Sequence, residues 1–451
     1  MLLALSFVLS ACAGHASRTE GARTALDEGR PKAALKLLND ELDVDGPDKI
    51  PENVGGENAL LMLDRAMVLQ AVASRSEARE PREYAWSSRD LEIADKQIEV
   101  LDFSRNAVHD IGKYLFSDET GPYKAPTYEK LMINTMNMVN YLVRGDLTGA
   151  KVEARRLAVM QRYVSEHEGH GESLLGPGSY FAGFTFEKSG DAQEALLYYD
   201  EALQYGSYAS LAGPVQRLAA STTYRSPRIR ALLEGSGAPE GGQSAAQNDD
   251  SAEILVVISF GRVPPKVAKR IPIGLALTYV SGWMSPTDIN KANYLAAQGL
   301  VTWINFPDLG RPHGAYAIPE FALDGSMQGL EGVVAVDQEA KKAWDGAKGS
   351  VLASAITRMI ARIVAGEAIR RSTNDQLLGA VLSLGTQATL TALDTPDTRS
   401  WSTLPARIAI GRVRVKPGTH VIEVEARGVR KRQTIAVRPG GWAVVDLTVL
   451  N

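Results

Sequence analysis

The chain has 451 residues, and at roughly 150 residues per domain this length predicts about three domains or two larger ones. Hydrophobic residues make up 45% and charged residues 23%, an ordinary globular usage that excludes a disordered, collagenous or multi-span membrane chain. The net charge of −4 gives no basis for nucleic-acid binding, and the one cysteine, Cys12, excludes an internal disulfide, a CxxC redox pair and a thiolate zinc cluster.

At the amino terminus, Leu2 to Leu9 form an apolar run of signal-peptide length, too short to span a bilayer, and the first charged side chain is Arg18. Leu9-Ser10-Ala11-Cys12 follows directly and resembles the lipobox of bacterial lipoproteins. That resemblance implies cleavage before Cys12 and acylation of the new terminal cysteine, with residues 1–12 as signal peptide and lipobox. An ordinary secretory signal or a buried strand is the plainer alternative. No Lys or Arg precedes the apolar run, which points to a start codon further upstream. Ala13 and Gly14 are not the Asp of an inner-membrane retention signal, so the expected location is the outer membrane, lipid-anchored, on the periplasmic face. Buried acyl chains, at about 0.8 kcal/mol per CH₂, hold such an anchor stably.

Residues 17–235 read as helices. Gly29-Arg30-Pro31 opens an apolar stripe through Leu35, Leu37 and Leu38, and Tyr141–Leu157 and Phe186–Leu203 each carry Gly-Asp between two helical patterns. Asn58–Ala73, Ser88–Leu101 and Tyr128–Leu142 are predicted as further helices. The units look like tetratricopeptide (TPR) hairpins. Gly183, Phe186, Gly190, Ala195, Tyr199 and Ala202 stand where that repeat wants small residues at helix crossings and aromatics to fill the holes. A TPR-like α-solenoid buries its core between neighbours and leaves a concave surface for binding.

Residues 236–252 are rich in Gly, Ser, Ala and acids and read as a linker. An α/β region is expected over 253–403, with a buried strand at Ile254–Phe260, strands at Leu300–Ile304, Ala315–Leu323 and Val333–Val336, and a short helix at Lys291–Gln298. Ala343–Ile369 is predicted as a long helix buried on one stripe, with Leu377–Leu393 as its partner in a hairpin. Residues 404–451 read as four strands, Ile408–Val415, His420–Ala426, Lys431–Val437 and Trp442–Leu450, forming a small antiparallel β module. Pro417–Gly428 is similar to the run of PEGA-type surface modules. This module carries +6 against −10 for the rest, so a basic face toward anionic lipid, glycan or acidic protein is weighed against a merely solvated sheet. The fold class expected is thus α+β and multidomain.

Signatures of catalysis are absent: no phosphate loop, HExxH, GxSxG or GxGxxG is present. His167 and His170 among Glu166, Glu168 and Glu172 form the one HxxH pair, in a Gly-rich stretch that reads better as a connection than as a metal site. Glu129 with Glu153 could do acid and base work on a glycan, but helix-surface charges or interhelical ion pairs are the plainer reading. Neither catalytic residues nor a metal or cofactor are assigned. Two denser constellations remain as candidate binding sites. Tyr128, Glu129, Asn134, Glu153 and Arg156 recur at three-to-four spacing on two antiparallel helices, as a groove requires or as a hairpin tie would. Arg399 and Trp401 sit in a loop ahead of the terminal strands, as an interface or glycan anchor or as a wedge between sheet and helices.

With these residues in view, the chain resembles a family of bacterial TPR-like cell-envelope lipoproteins. The resemblance rests on the lipobox, PTYEK through NYLVRGDLTGAKVEARR, ILVVISFGRVPPK and DTRSWSTLPARI. Members share the layout of lipoproteins encoded near activators of penicillin-binding proteins, which implies a role in envelope or peptidoglycan assembly by association alone. The expected function is a lipid-anchored scaffold or adaptor that binds an envelope protein partner, with peptidoglycan or anionic lipid as further partners. The alternative is an envelope glycan-binding protein or glycan-directed enzyme with its site in the C-terminal half.

Overall fold

Helical hairpins build the first half because apolar residues recur there at helical spacing between glycine turns. The computed structural model describes residues 14–78, 80–103, 123, 125–167, 174–235, 250–312, 316–372 and 396–451. Cys12 and the lipobox, most of the linker, His170 and the proposed partner helix at Leu377–Leu393 lie outside the described residues.

After a single turn, α1 (His15–Arg18), the helix α2 (Glu20–Asp27) turns at Gly29 into α3 (Pro31–Glu41). Pro31 there fills the first turn, where no intrahelical N–H bond is lost. α4 (Glu57–Ser74) packs on α5 (Glu83–Phe103), α6 (Thr127–Val143) on α7 (Leu147–His167), and α8 (Leu175–Lys188) on α9 (Ala192–Tyr205). α10 (Ala212–Ala219) and α11 (Pro227–Gly235) close the array. Gly145 and Gly190 break the last two hairpins at φ of 72° and 80°, a conformation that side chains with a Cβ resist. A Cβ on Gly183 would stand 2.4 Å from the Tyr199 ring, so the small residue that the repeat pattern singles out does mark a close helix crossing. α4 is buried on every side from Ala59 to Ser74, as a helix without a polar face must be.

The second half is β-rich. β1 (Ala252–Phe260) is buried at every residue. It pairs in parallel with β10 (Trp442–Val449), Val256 opposite Val445, and antiparallel with β7 (Arg407–Val415), Val256 opposite Gly411. β6 (Glu331–Ala335) completes the order β10-β1-β7-β6. A second sheet runs β5 (Ser326–Met327), β4 (Glu320–Leu323), β8 (Gly418–Ala426), β9 (Val429–Val437). Between β1 and β4 the chain makes an excursion: β2 (Lys266–Pro272) pairs with β3 (Trp303–Leu309), and with α12 (Ile273–Thr278), α13 (Pro286–Ala297) and the long α14 (Val336–Ser372) it encloses a separate small core around Ile304, Phe306, Trp344 and Leu352.

The layers follow from alternation along β1. Leu255 and Val257 pack into one core with the helices, alongside Ile408, Ile410 and Val444. Ile254, Val256 and Ile258 face the second sheet and meet Phe321, Ile422 and Val424. Helices, first sheet and second sheet thus form three layers, and a strand buried on both faces reads as an unbroken apolar run.

Two expectations change. The last four strands are not one antiparallel module: β7 and β10 flank β1, with β10 parallel to it, whereas β8 and β9 belong to the opposite sheet. The cause is β1 itself, whose two hydrogen-bonding edges would be buried without partners unless distant strands filled them. The helices, too, share their core with the first sheet, so one face of the helical array is covered by the chain's own strands. The architecture is α+β. Smaller shifts trace to local signals, as when Ser285 caps α13 by accepting from the Asp288 N–H and Pro286 starts it five residues ahead of Lys291.

Candidate functional site

Loop 396–406 runs through the seam between helices and sheet and meets two buried carboxylates. Glu129, on α6, accepts the Trp401 backbone N–H at 3.0 Å and the hydroxyls of Tyr123 and Tyr128. Burial pushes the Glu129 carboxyl up, and Tyr123, the Trp401 N–H and the charge of Lys266 pull it back. Lys266 is itself buried, which drives its ammonium pKa down against the pull of Asp397 and Glu129. Asp397 holds Arg399 through Nε at 2.9 Å and Nη2 at 2.7 Å, with the guanidinium over the Tyr123 ring.

The second carboxylate is Asp64 of α4. It is paired with His15 Nε2 at 2.9 Å, and its Oδ1 accepts Ser402 Oγ at 3.0 Å and both the N–H and hydroxyl of Thr403 at 2.9 Å. Asp, His and Ser converge here without forming a nucleophile and its base. The Ser402 hydroxyl donates to Asp64, and among the described residues His15 makes no bond to it. The carboxylate fastens the loop and α1 to α4.

The predicted site residues fall into two groups. Tyr128, Glu129, Arg399 and Trp401 come together in the seam. Asn134, Glu153 and Arg156 form a separate tie between α6 and α7: Asn134 Nδ2 donates to Glu153 at 2.9 Å, and Arg156 reaches Glu153 at 3.2 Å and Asp95 at 3.6 Å. All but Arg156 are buried. The groove reading is therefore corrected, because the mixed stripe on α6 packs inward on both sides and the chain's own sheet and loop occupy the space. Trp401, only 1% exposed, is a wedge and offers no face to a sugar. The basic surface is also reduced: Arg412 and Lys431 turn inward, while Arg430 pairs with Glu425 and Arg432 with Glu423 across β8 and β9.

Two clusters escape a reading by motif. Arg412 on β7 bonds Glu187 of α8, Glu253 of β1 and Tyr199 of α9. The visible signal is a charge set into an apolar strand, at Glu253 and at Arg412. The other is Asp446 on β10, which accepts from Tyr84 at 3.1 Å and from Thr448, with Lys431 donating to its backbone carbonyl. Burial raises the Asp446 carboxyl to about 7, although Lys431, Tyr84 and Thr448 oppose the rise. Since the folded state then binds this proton more tightly than the unfolded chain, the group's contribution is greatest below about pH 4 and falls as pH rises to about 7. Asp446→Asn is expected to flatten that fall and to be at least as stable as the wild type at pH 8. Thermal unfolding at pH 5 and pH 8 checks it, and a variant weaker at both values by the same margin contradicts it.

The open surface lies elsewhere. A cleft of about 500 Å³ opens at the α2–α3 turn beside Arg30, Lys32, Val72 and Arg75. Another, of about 890 Å³, opens at the α8–α9 turn between Lys151, Asp191, Gln193 and Thr222. Among the described residues no group of three or more His, Cys, Asp or Glu is placed to hold a metal ion, and no helix is long and apolar enough to cross a membrane. Comparison with protein-family models returned no match, and none of the curated proteins matches the chain.

Proposed function

We propose that the protein is a lipid-anchored scaffold of the bacterial cell envelope, tethered to the outer membrane through Cys12, whose TPR-like hairpins hold a protein partner at their turns. The observation that carries this reading is where space remains. One face of the helical array is filled by the chain's own sheet, while open clefts remain at the α2–α3 and α8–α9 turns. The polar residues of the seam are engaged as struts: each carboxylate there accepts from donors that fix the fold. Tethering supplies the mechanism, since a membrane-held adaptor raises the local concentration of whatever it binds.

Because helices and sheet share a core, deleting residues 17–235 would strip the sheet of its cover, so single positions are the better probe. A photo-crosslinking residue at Lys32 or Gln193, introduced into the full-length protein in its own host, is expected to give an adduct with an envelope protein. The same probe at exposed Lys341 on α14 should not. Equal adducts from all three positions, or release of soluble fragments from purified sacculi by the protein alone, would overturn the scaffold reading.

A further inference from the structure

Arg262 follows β1 in the turn toward β2, and its side chain is only 2% exposed. Nη2 is paired with Asp27 of α2. Nε and Nη1 are buried, and no acceptor among the described residues reaches either. A buried guanidinium with two unmatched donors is costly, since each such group forgoes its hydration without a replacement bond. The same holds for Nε of Arg23 on α2, whose Nη2 donates to the Ala16 carbonyl at 2.6 Å. Both arginines line one cleft of about 170 Å³, with Thr24 and Ser402 beside them and the exposed carboxylates of Glu20 and Asp27. The buried wall is cationic and rich in donors.

We propose that Arg23 and Arg262 form a binding site for a single phosphate-type oxyanion. Closed to solvent in this arrangement, these N–H groups reach an anion in the cleft when the two side chains turn toward it, and the charge-assisted bonds they then supply are about twice as strong as neutral ones. Donors from two elements, α2 and the β1–β2 turn, suit a tetrahedral anion, which accepts from several directions, better than a planar carboxylate. At about 30 Å³ per water, the cleft has room for such a group and a few waters. Glu20 and Asp27 restrict it to one charged group and disfavour a polyanion. An anion here would also offset the repulsion between the two guanidiniums. A lipid headgroup and free phosphate present the same oxyanion, and the two arms of the test distinguish them.

Calorimetric titration of the full-length protein with inorganic phosphate, against sodium chloride at matched ionic strength and against acetate, tests the site. A second arm compares phosphatidylglycerol with phosphatidylcholine vesicles. Saturable phosphate binding identifies a free-oxyanion site. Preference for phosphatidylglycerol without phosphate binding identifies a headgroup site. Either is expected to weaken at least about tenfold in Arg23→Gln and in Arg262→Lys. Should Arg262→Lys fail to fold by circular dichroism, Arg23→Gln, at a half-buried position, decides alone. The proposal is overturned if neither phosphate nor phosphatidylglycerol binds saturably, or if binding is unchanged in the folded variants.

Discussion

Asp64→Ala is expected to destabilise the chain by about 4 kcal/mol, the range seen when one partner of a buried charged network is removed. The size follows from what the substitution strands. Asp64 is fully buried, and its oxygens receive His15, the Ser402 hydroxyl, and the N–H and hydroxyl of Thr403. Removing the carboxylate leaves these donors dry, at roughly 1–3 kcal/mol for each that finds no substitute. Asp64→Asn is the informative companion. Its amide oxygen can still accept from Ser402 and Thr403, so about half the loss should return. Urea midpoints read both variants, and tryptophan fluorescence beside far-UV circular dichroism shows whether the loop holding Trp401 leaves before the helices do. A cost below about 1 kcal/mol for Asp64→Ala would mean that the loop is not held by this carboxylate.

Local periodicity made the hairpins legible. Gly145 and Gly190 mark real turns, and Gly183 lies against Tyr199, because contacts within a hairpin join residues close in sequence. The apolar run at Ile254–Phe260 likewise identified a strand buried on both faces. Its neighbours were not legible, since β7 and β10 come from far along the chain and neither pattern nor turn chemistry specifies a parallel partner. The same distance hid the site's meaning. Tyr128 and Glu129 stand out by their helical spacing and Trp401 by its place beside Arg399 in a loop, but their types are the same in a groove and in a seam. What separates the two is that Glu129 and Trp401 meet across 272 positions of sequence. Glu187, Glu253 and Arg412 have a related explanation: a charge inside an apolar strand marks Glu253 and Arg412 as unusual, but no local pattern joins them to each other or to Glu187 on a distant helix.

That cluster carries the second large effect. Arg412 lies 3% exposed under the Phe184 ring, with Nη2 at 2.8 Å from both oxygens of Glu187 and bonded to Glu253, while Nη1 donates to Tyr199 at 2.9 Å. Burial opposes ionisation of Glu187, but Arg412 and then Lys188 more than overcome it and hold the carboxyl down at about 2; Glu253 is shifted in the same direction. A carboxylate whose folded pKa lies below its unfolded value near 4.5 adds stability above that value and loses it as pH falls toward about 2. Arg412→Met keeps much of the stem and removes the charge, leaving two buried acids to Lys188, Arg217 and the Tyr199 hydroxyl. At pH 7 a loss of about 3–5 kcal/mol is expected. Without the guanidinium, burial drives both carboxyls up, so the variant protonates them at higher pH and recovers part of its deficit by pH 4. Urea midpoints at the two pH values measure this, and an equal deficit at both would show that packing, not charge, is what Arg412 contributes. Adding Glu187→Gln and Glu253→Gln to Arg412→Met then separates the pair from its parts. If the triple variant is more stable than Arg412→Met alone, the cost lies in the stranded carboxylates, and the cluster acts chiefly to fix how the sheet seats on α8 and α9.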